Sequence, residues 1–240
     1  MYQFKEEINR DAHFWFKKKW ITDLNWKMLP KSTKAIFPVI AVHQNKDGES
    51  FPSELTIAIY SGRTEKVVRR GIEALRHFPD ITQEPYVTQR GRRSKRFIFK
   101  PIIHQKGNAF PFYRDIIDGG NWLMLKPISQ AVYPVMRHYG YFEPDIYSFY
   151  YPDSFCDPEE FTADFRDREC DFCEADPHLI VDLAGISYKS YDEALYDLEK
   201  HYLIEHTDNN LFKVYLHPPK IYKREFLNRK ILERYGNSDD

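Results

Sequence analysis

No run of about 18 or more uncharged apolar residues occurs anywhere in the 240-residue chain, so no membrane-spanning helix and no membrane partner are expected. The first residues, Met1 to Phe4 followed by Lys5, Glu6 and Glu7, lack the apolar stretch of a secretory signal, and a cytoplasmic location is the expectation. Cysteine is scarce: Cys156, Cys170 and Cys173 are odd in number and confined to one segment, which argues for reduced thiols rather than a disulfide framework. Also missing are a Ser/His/Asp set, a glycine-rich phosphate loop and carboxylates paired at a usable spacing. His13, His43, His77, His138 and His201 are instead scattered near aromatic positions. The chain is therefore not expected to be an enzyme.

What the chain does have is apolar content, 42% hydrophobic and 16% aromatic, enough for one large core or two small ones, with two the expected division. The net charge of -1 hides an asymmetry. Residues 1–110 carry 21 Lys and Arg against 11 Asp and Glu, whereas residues 111–240 carry 14 against 25. Because electrostatic attraction acts within a Debye length, a polyanionic partner is expected to meet the first half.

The sequence also contains itself twice. NWKMLPKSTKAIFPV from Asn25 matches NWLMLKPISQAVYPV from Asn121, with Trp26 and Trp122, Ala35 and Ala131, and Pro38 and Pro134 in step at an offset of 96. Phe14 and Phe16 extend that register to Phe110 and Phe112, so the aromatic cluster ahead of each copy is read as structural rather than as a base-stacking platform beside Lys17, Lys18 and Lys19. A second block, GRTEKVVRRGIEAL from Gly62 and GISYKSYDEALYDL from Gly185, matches at an offset of 123, which implies an insertion of 27 residues in the second copy.

Within copy one, Ser32 precedes an apolar stripe at helical spacing (Ile36, Val39, Ile40, His43), and Asn45, Asp47 and Gly48 supply turn chemistry. Ser53 is placed to cap a short second helix, Gly62 to make a tight turn, and Thr64 to cap a third helix that faces the core with Val68, Ile72 and Leu75. Glu65, Lys66, Arg69, Arg70 and Glu73 are left toward solvent. Two strand-like runs, 86–89 and 96–99, then flank RGRRSKR, whose Arg90, Arg92, Arg93, Lys95 and Arg96 form a basic hairpin suited to a phosphate backbone.

FPSELTIAIYSGRTEKVVRRGIEALRHF resembles the winged helix-turn-helix domains of plasmid and phage replication proteins and bacterial regulators, over roughly residues 30–100. The resemblance implies that Thr64, Glu65, Lys66 and Val67 enter the major groove of double-stranded DNA, with Arg70 on a phosphate. Glu65 departs from a position often basic; it either accepts from a cytosine amine or weakens binding. The expected fold is α+β, mainly α: two tandem winged helix-turn-helix domains, residues 1–104 and 105–217, then a basic amphipathic helix and tail over 218–240. Tandem copies with divided labour resemble plasmid replication initiators, in which one copy pairs subunits, so a homodimer is an expected assembly.

Copy two changes its surface, offering Tyr188, Lys189, Ser190, Asp192, Glu193 and Asp197 on its third helix, so dimerisation, packing or a protein partner is expected there rather than phosphates. The insertion, about 141–176, holds 12 acidic and two basic residues among many aromatics, either a solvated loop or a docking surface for a protein partner. Cys156, Cys170, Cys173 and His178 have the donor types of a Cys3His zinc site, but a single C-x2-C pair is a modest signal and no cofactor is expected. The functional expectation is a sequence-specific DNA-binding protein, a replication initiator of mobile-element type or a transcriptional regulator. The alternative is a tandem winged-helix scaffold of a chromosome-organising complex, docking proteins instead of base pairs.

Overall fold

A computed structural model describes residues 12–87, 91, 93–101, 107–141, 170–207 and 211–218. It is α+β, with short antiparallel sheets among helices, and among the described residues no helix is long and apolar enough to cross a membrane. Strand β1 (His13–Lys17) leads into two short helices, α1 (Lys19–Thr22) and α2 (Asn25–Met28), and the longer α3 (Lys31–Ala41). Strand β2 (Glu49–Ser50), helices α4 (Glu54–Ser61) and α5 (Glu65–Ala74), and the hairpin β3 (Ile81–Val87) and β4 (Arg93–Phe99) complete the first copy. The second copy repeats this order: β5 (Ala109–Tyr113), α6 (Asp115–Asp118), α7 (Asn121–Met124), α8 (Pro127–Tyr139), β6 (Cys170–Cys173), α9 (Pro177–Ala184), α10 (Lys189–Lys200), β7 (Ile204–His206) and β8 (Phe212–Tyr215).

The copies are joined by exchange of equivalent contacts. β1 and β5 pair antiparallel with Phe14 opposite Phe112, Trp15 opposite Pro111 and Phe16 opposite Phe110, so Phe14 meets the counterpart of Phe16 and Phe16 the counterpart of Phe14. The Trp26 indole donates to the Ala131 carbonyl (3.0 Å) and the Trp122 indole to that of Ala35 (2.8 Å). Lys34 Nζ reaches across to the Ala184 carbonyl at the end of α9 (2.8 Å), and Gln130, its equivalent, reaches the Ser61 carbonyl at the end of α4 (3.2 Å). Such reciprocity is the signature of an internal two-fold relation, as in an isologous dimer whose subunits share one chain.

Two small cores are the expectation from composition; among the described residues all but a small cluster of the buried hydrophobic side chains instead form one continuous core through both copies. The reason lies in α3 and α8, which pack against each other. Each reads as an amphipathic helix, yet both are buried almost all round, because one face covers the home copy and the opposite face covers the partner copy. Pro38 and Pro134 sit inside these helices at matching positions.

The three-stranded sheets have matching orders, β2-β4-β3 and β6-β8-β7. Strand β6 corrects the expected extent of the acidic insertion: Cys170–Cys173 pairs with Phe212–Tyr215 as β2 pairs with β4, so these residues belong to the sheet and the interruption is narrower than 141–176. Asp171, Glu174 and Asp176 disguise the strand in the sequence by making its surroundings acidic. Residues 142–169 and the expected basic helix of 218–240 beyond residue 218 lie outside the described residues.

Candidate nucleic-acid interface

Helix α4 begins where Ser53 Oγ accepts from the Thr56 amide (3.0 Å), satisfying one of the amides that a helix start leaves open. It ends at Gly62, which adopts φ +68° and lets Arg63 N donate back to the Ala58 carbonyl (3.0 Å). Thr64 then caps α5 by accepting from the Val67 amide (3.4 Å). Val68, Gly71, Ile72 and the following Leu75 are buried. At Gly71 an added Cβ would lie 2.6 Å from Ile36 Cδ1, so glycine sets how closely α5 approaches α3. The opposite face of α5 exposes Lys66, Arg69, Arg70 and Glu73, beside exposed Thr64 and half-buried Glu65 and Val67.

Arg69 is the most engaged of these cations. Its Nε donates to Glu54 at 2.7 Å, across from α5 to the first turn of α4, and its Nη2 reaches Glu65 at 3.4 Å. Both carboxylates stand in first turns, where the helix dipole favours negative charge.

The hairpin pairs seven residues of β3 with seven of β4, a reach of roughly 20 Å, against three paired residues for its counterpart β7 and β8. Its base is fixed by Asp80, buried and bonded to Trp20 Nε1 (2.8 Å), Lys17 Nζ (3.2 Å) and Lys19 Nζ (3.3 Å). Burial works to raise the Asp80 pKa, but these three donors outweigh it and hold the carboxyl below its usual range. Lys17 also donates to the Lys100 carbonyl (2.9 Å). Of the lysines beside the aromatic cluster, Lys17 is thus a buried tie between β1 and the hairpin.

Lys95 faces a cleft of about 450 Å³ between hairpin and helices, lined also by Ser53, Glu54, Glu65 and Ile72. Arg96 is spent internally: it pairs with Glu84 on β3 and with Glu49 on β2 (3.2 Å), tying the three strands together. The side chains of Arg90, Arg92 and Arg93 lie outside the described residues. The structure therefore brings Thr64, Lys66, Arg69, Arg70 and Lys95 to one side of copy one, with Glu65 and Val67 half-buried among them. Glu54 and the Lys17–Asp80 tie escaped the sequence reading, although Glu54, directly after the Ser53 cap, was a visible signal.

In copy two the turn at Gly185 (φ +62°) joins α9 to α10, whose outward face carries exposed Tyr188, Asp192, Glu193 and Tyr196. Asp197 points inward, accepting from Ser129 Oγ (2.6 Å) and the Lys126 amide (2.9 Å). Of the candidate zinc donors, Cys173 belongs to the main core and Cys170 to a separate small cluster with Phe172, Leu211 and Tyr215, and the His178 ring lies against Tyr188 at 4.9 Å. Burial pushes the Cys173 thiol up to about 11, away from the thiolate a metal needs. Among the described residues no three His, Cys, Asp or Glu side chains converge on a metal position; Cys156 lies outside them. In comparisons with known proteins, the chain matches no family model, no curated protein and no solved structure.

Proposed function

We propose that the chain is a tandem winged-helix protein that binds double-stranded DNA in a sequence-specific manner, with α5 in the major groove and the β3–β4 hairpin along the backbone. The observation that carries this reading is the α4–Gly62–α5 unit, whose capped third helix turns Lys66, Arg69 and Arg70 outward beside a long hairpin bearing Lys95. The order of helices, turn and hairpin matches the docking geometry in which a second helix of the unit fills the groove and neighbouring cations meet phosphates. Lys66, Arg70 and Lys95 are the phosphate contacts, and Thr64, Glu65 and Val67 face base edges. Copy two, with Asp192 and Glu193 where copy one has Arg69 and Arg70, serves assembly or a protein partner. Replication initiation on a mobile element and transcriptional control both use such a surface.

The test is binding to a random duplex pool as a function of salt, comparing the intact chain with the triple variant Lys66→Ala, Arg70→Ala, Lys95→Ala. Arg96 is kept because it holds the sheet. The expected result is a steep fall of affinity with salt, enrichment of a common sequence, and a slope shallower by roughly three in the variant. Absence of duplex binding at low salt, in a chain that is folded, refutes the reading.

A further inference from the structure

We infer that Arg69 is a base-reading residue specific for guanine, held in position by Glu54 and Glu65, rather than one of the phosphate contacts. This rests on the proposed DNA-binding reading and adds to it which base one residue selects.

The argument starts from which edge of the guanidinium is occupied. Nε and the adjacent hydrogen of Nη2 form one edge of the planar fork, and this is the edge that meets carboxylates: Glu54 takes Nε at 2.7 Å and Glu65 takes Nη2 at 3.4 Å. Among the described residues no acceptor meets Nη1. The end edge, with two parallel N–H groups from Nη1 and Nη2, therefore remains open, and the Arg69 side chain is 63% exposed. Two parallel donors are what the O6 and N7 acceptors of guanine match in the major groove.

Local charge separates a base from a phosphate as the partner. One guanidinium between two carboxylates leaves a net negative spot, so a phosphate brought there meets repulsion, whereas the guanine acceptors are uncharged. Lys66 and Arg70 flank this spot on the same exposed face. The Glu65 contact alone is an ordinary i,i+4 helix pair. The Glu54 contact is different in kind, because it crosses from one helix to another and fixes the swing of a long side chain that would otherwise sample many rotamers. Glu54 and Glu65 are thus positioning residues.

The experiment is sequence selection from a random duplex pool, with salt titrations on the selected site, for the intact chain, Arg69→Ala and Glu54→Gln. The expected result is a motif with one strongly preferred guanine; Arg69→Ala loses that preference by about tenfold or more, keeps the other positions, and leaves the salt slope unchanged. Glu54→Gln weakens the same preference and steepens the salt dependence, since one repelling carboxylate is gone. Retained binding in each variant reports that the fold is intact. The inference is overturned if the motif survives Arg69→Ala at every position, or if that variant lowers the salt slope by about one, which would mark a phosphate contact. In both cases DNA binding itself stands. If the intact chain binds no duplex, the underlying reading falls and this inference with it.

Discussion

Lys34 lies fully buried between the copies, donating to the carbonyls of Ala184 (2.8 Å) and Lys27 (3.2 Å), and burial, reinforced by nearby Lys31, lowers its pKa from 10.5 to about 8. The folded state therefore binds this proton less tightly than the unfolded chain, in which the lysine keeps its ordinary value. Between about pH 8 and 10.5 the unfolded chain holds more protons, so stability rises with pH across that window. Below it, the buried charge costs about 3 kcal/mol relative to an unperturbed lysine, from a shift of roughly two and a half units. That figure is an upper bound, because the carbonyl end of α9 attracts a cation. Gln130 occupies the equivalent position in copy two and makes the equivalent contact, so Lys34→Gln is the substitution that the frame itself suggests. Urea unfolding of both proteins from near pH 7 to near pH 10 isolates the effect, since the tyrosines and other lysines cancel in the difference. The intact chain is expected to gain about 2 kcal/mol on the variant across that range. Parallel profiles would refute the reasoning and mean that the carbonyl dipoles hold Lys34 at an ordinary pKa.

Trp26→Phe removes the buried indole bond to the Ala131 carbonyl and part of the ring's packing and is expected to cost about 2 kcal/mol in denaturant unfolding, with Trp122→Phe costing a similar amount through Ala35. Unequal costs, with one near zero, would deny the reciprocal exchange. Gly185→Ala combines a φ of +62° with a Cβ 2.7 Å from the Lys27 carbonyl and is expected to lower stability by about 2 kcal/mol or more, whereas Gly91→Ala, with φ +73° and no atom within 4 Å, costs only about 1 kcal/mol. The pair is read by thermal midpoint. Arg96→Ala is expected to lower the thermal midpoint slightly through its half-exposed pairs with Glu49 and Glu84, and to leave the salt slope of the proposed DNA binding unchanged. A reduced slope would make it a phosphate contact after all.

The first copy's local structure was readable because its signals are short-range. Ser53 and Thr64 cap helices, Gly62 takes the left-handed turn, and Val68, Ile72 and Leu75 face inward, each fixed by chemistry within a few residues. The repeat itself was equally plain in Trp26 and Trp122. What escaped is long-range. Nothing near Phe14 says that its strand partner is Phe112, and nothing near Arg96 says that Glu49 will stand beside it. Nothing in the residues around Lys34 marks it for burial, which follows only once a second copy covers it. The extra 27 residues mislead for the opposite reason: acidic composition around Cys170–Cys173 hides a strand whose place is set by β8.

The division between what the duplication has kept and what it has changed carries its own argument. Several frame positions remain alike in the two copies: Trp26 and Trp122, Ala35 and Ala131, Pro38 and Pro134, and the left-handed glycines Gly62 and Gly185, while Lys34 and Gln130 differ yet make equivalent contacts. On the outward faces of the third helices two adjacent positions have inverted: in the register that aligns those glycines, Arg69 corresponds to Asp192 and Arg70 to Glu193, while Lys66 keeps its charge as Lys189. Packing constrains the first set, because a changed side chain there must satisfy two copies at once, while a solvated face tolerates either sign. An inversion at adjacent positions, on elements of the same geometry, moves the electrostatic preference of one face from polyanions to cations without disturbing the frame beneath it. The internal two-fold relation is thus one of backbone and core, and the paired arginines on the outward face of the first copy's third helix are not repeated across the axis.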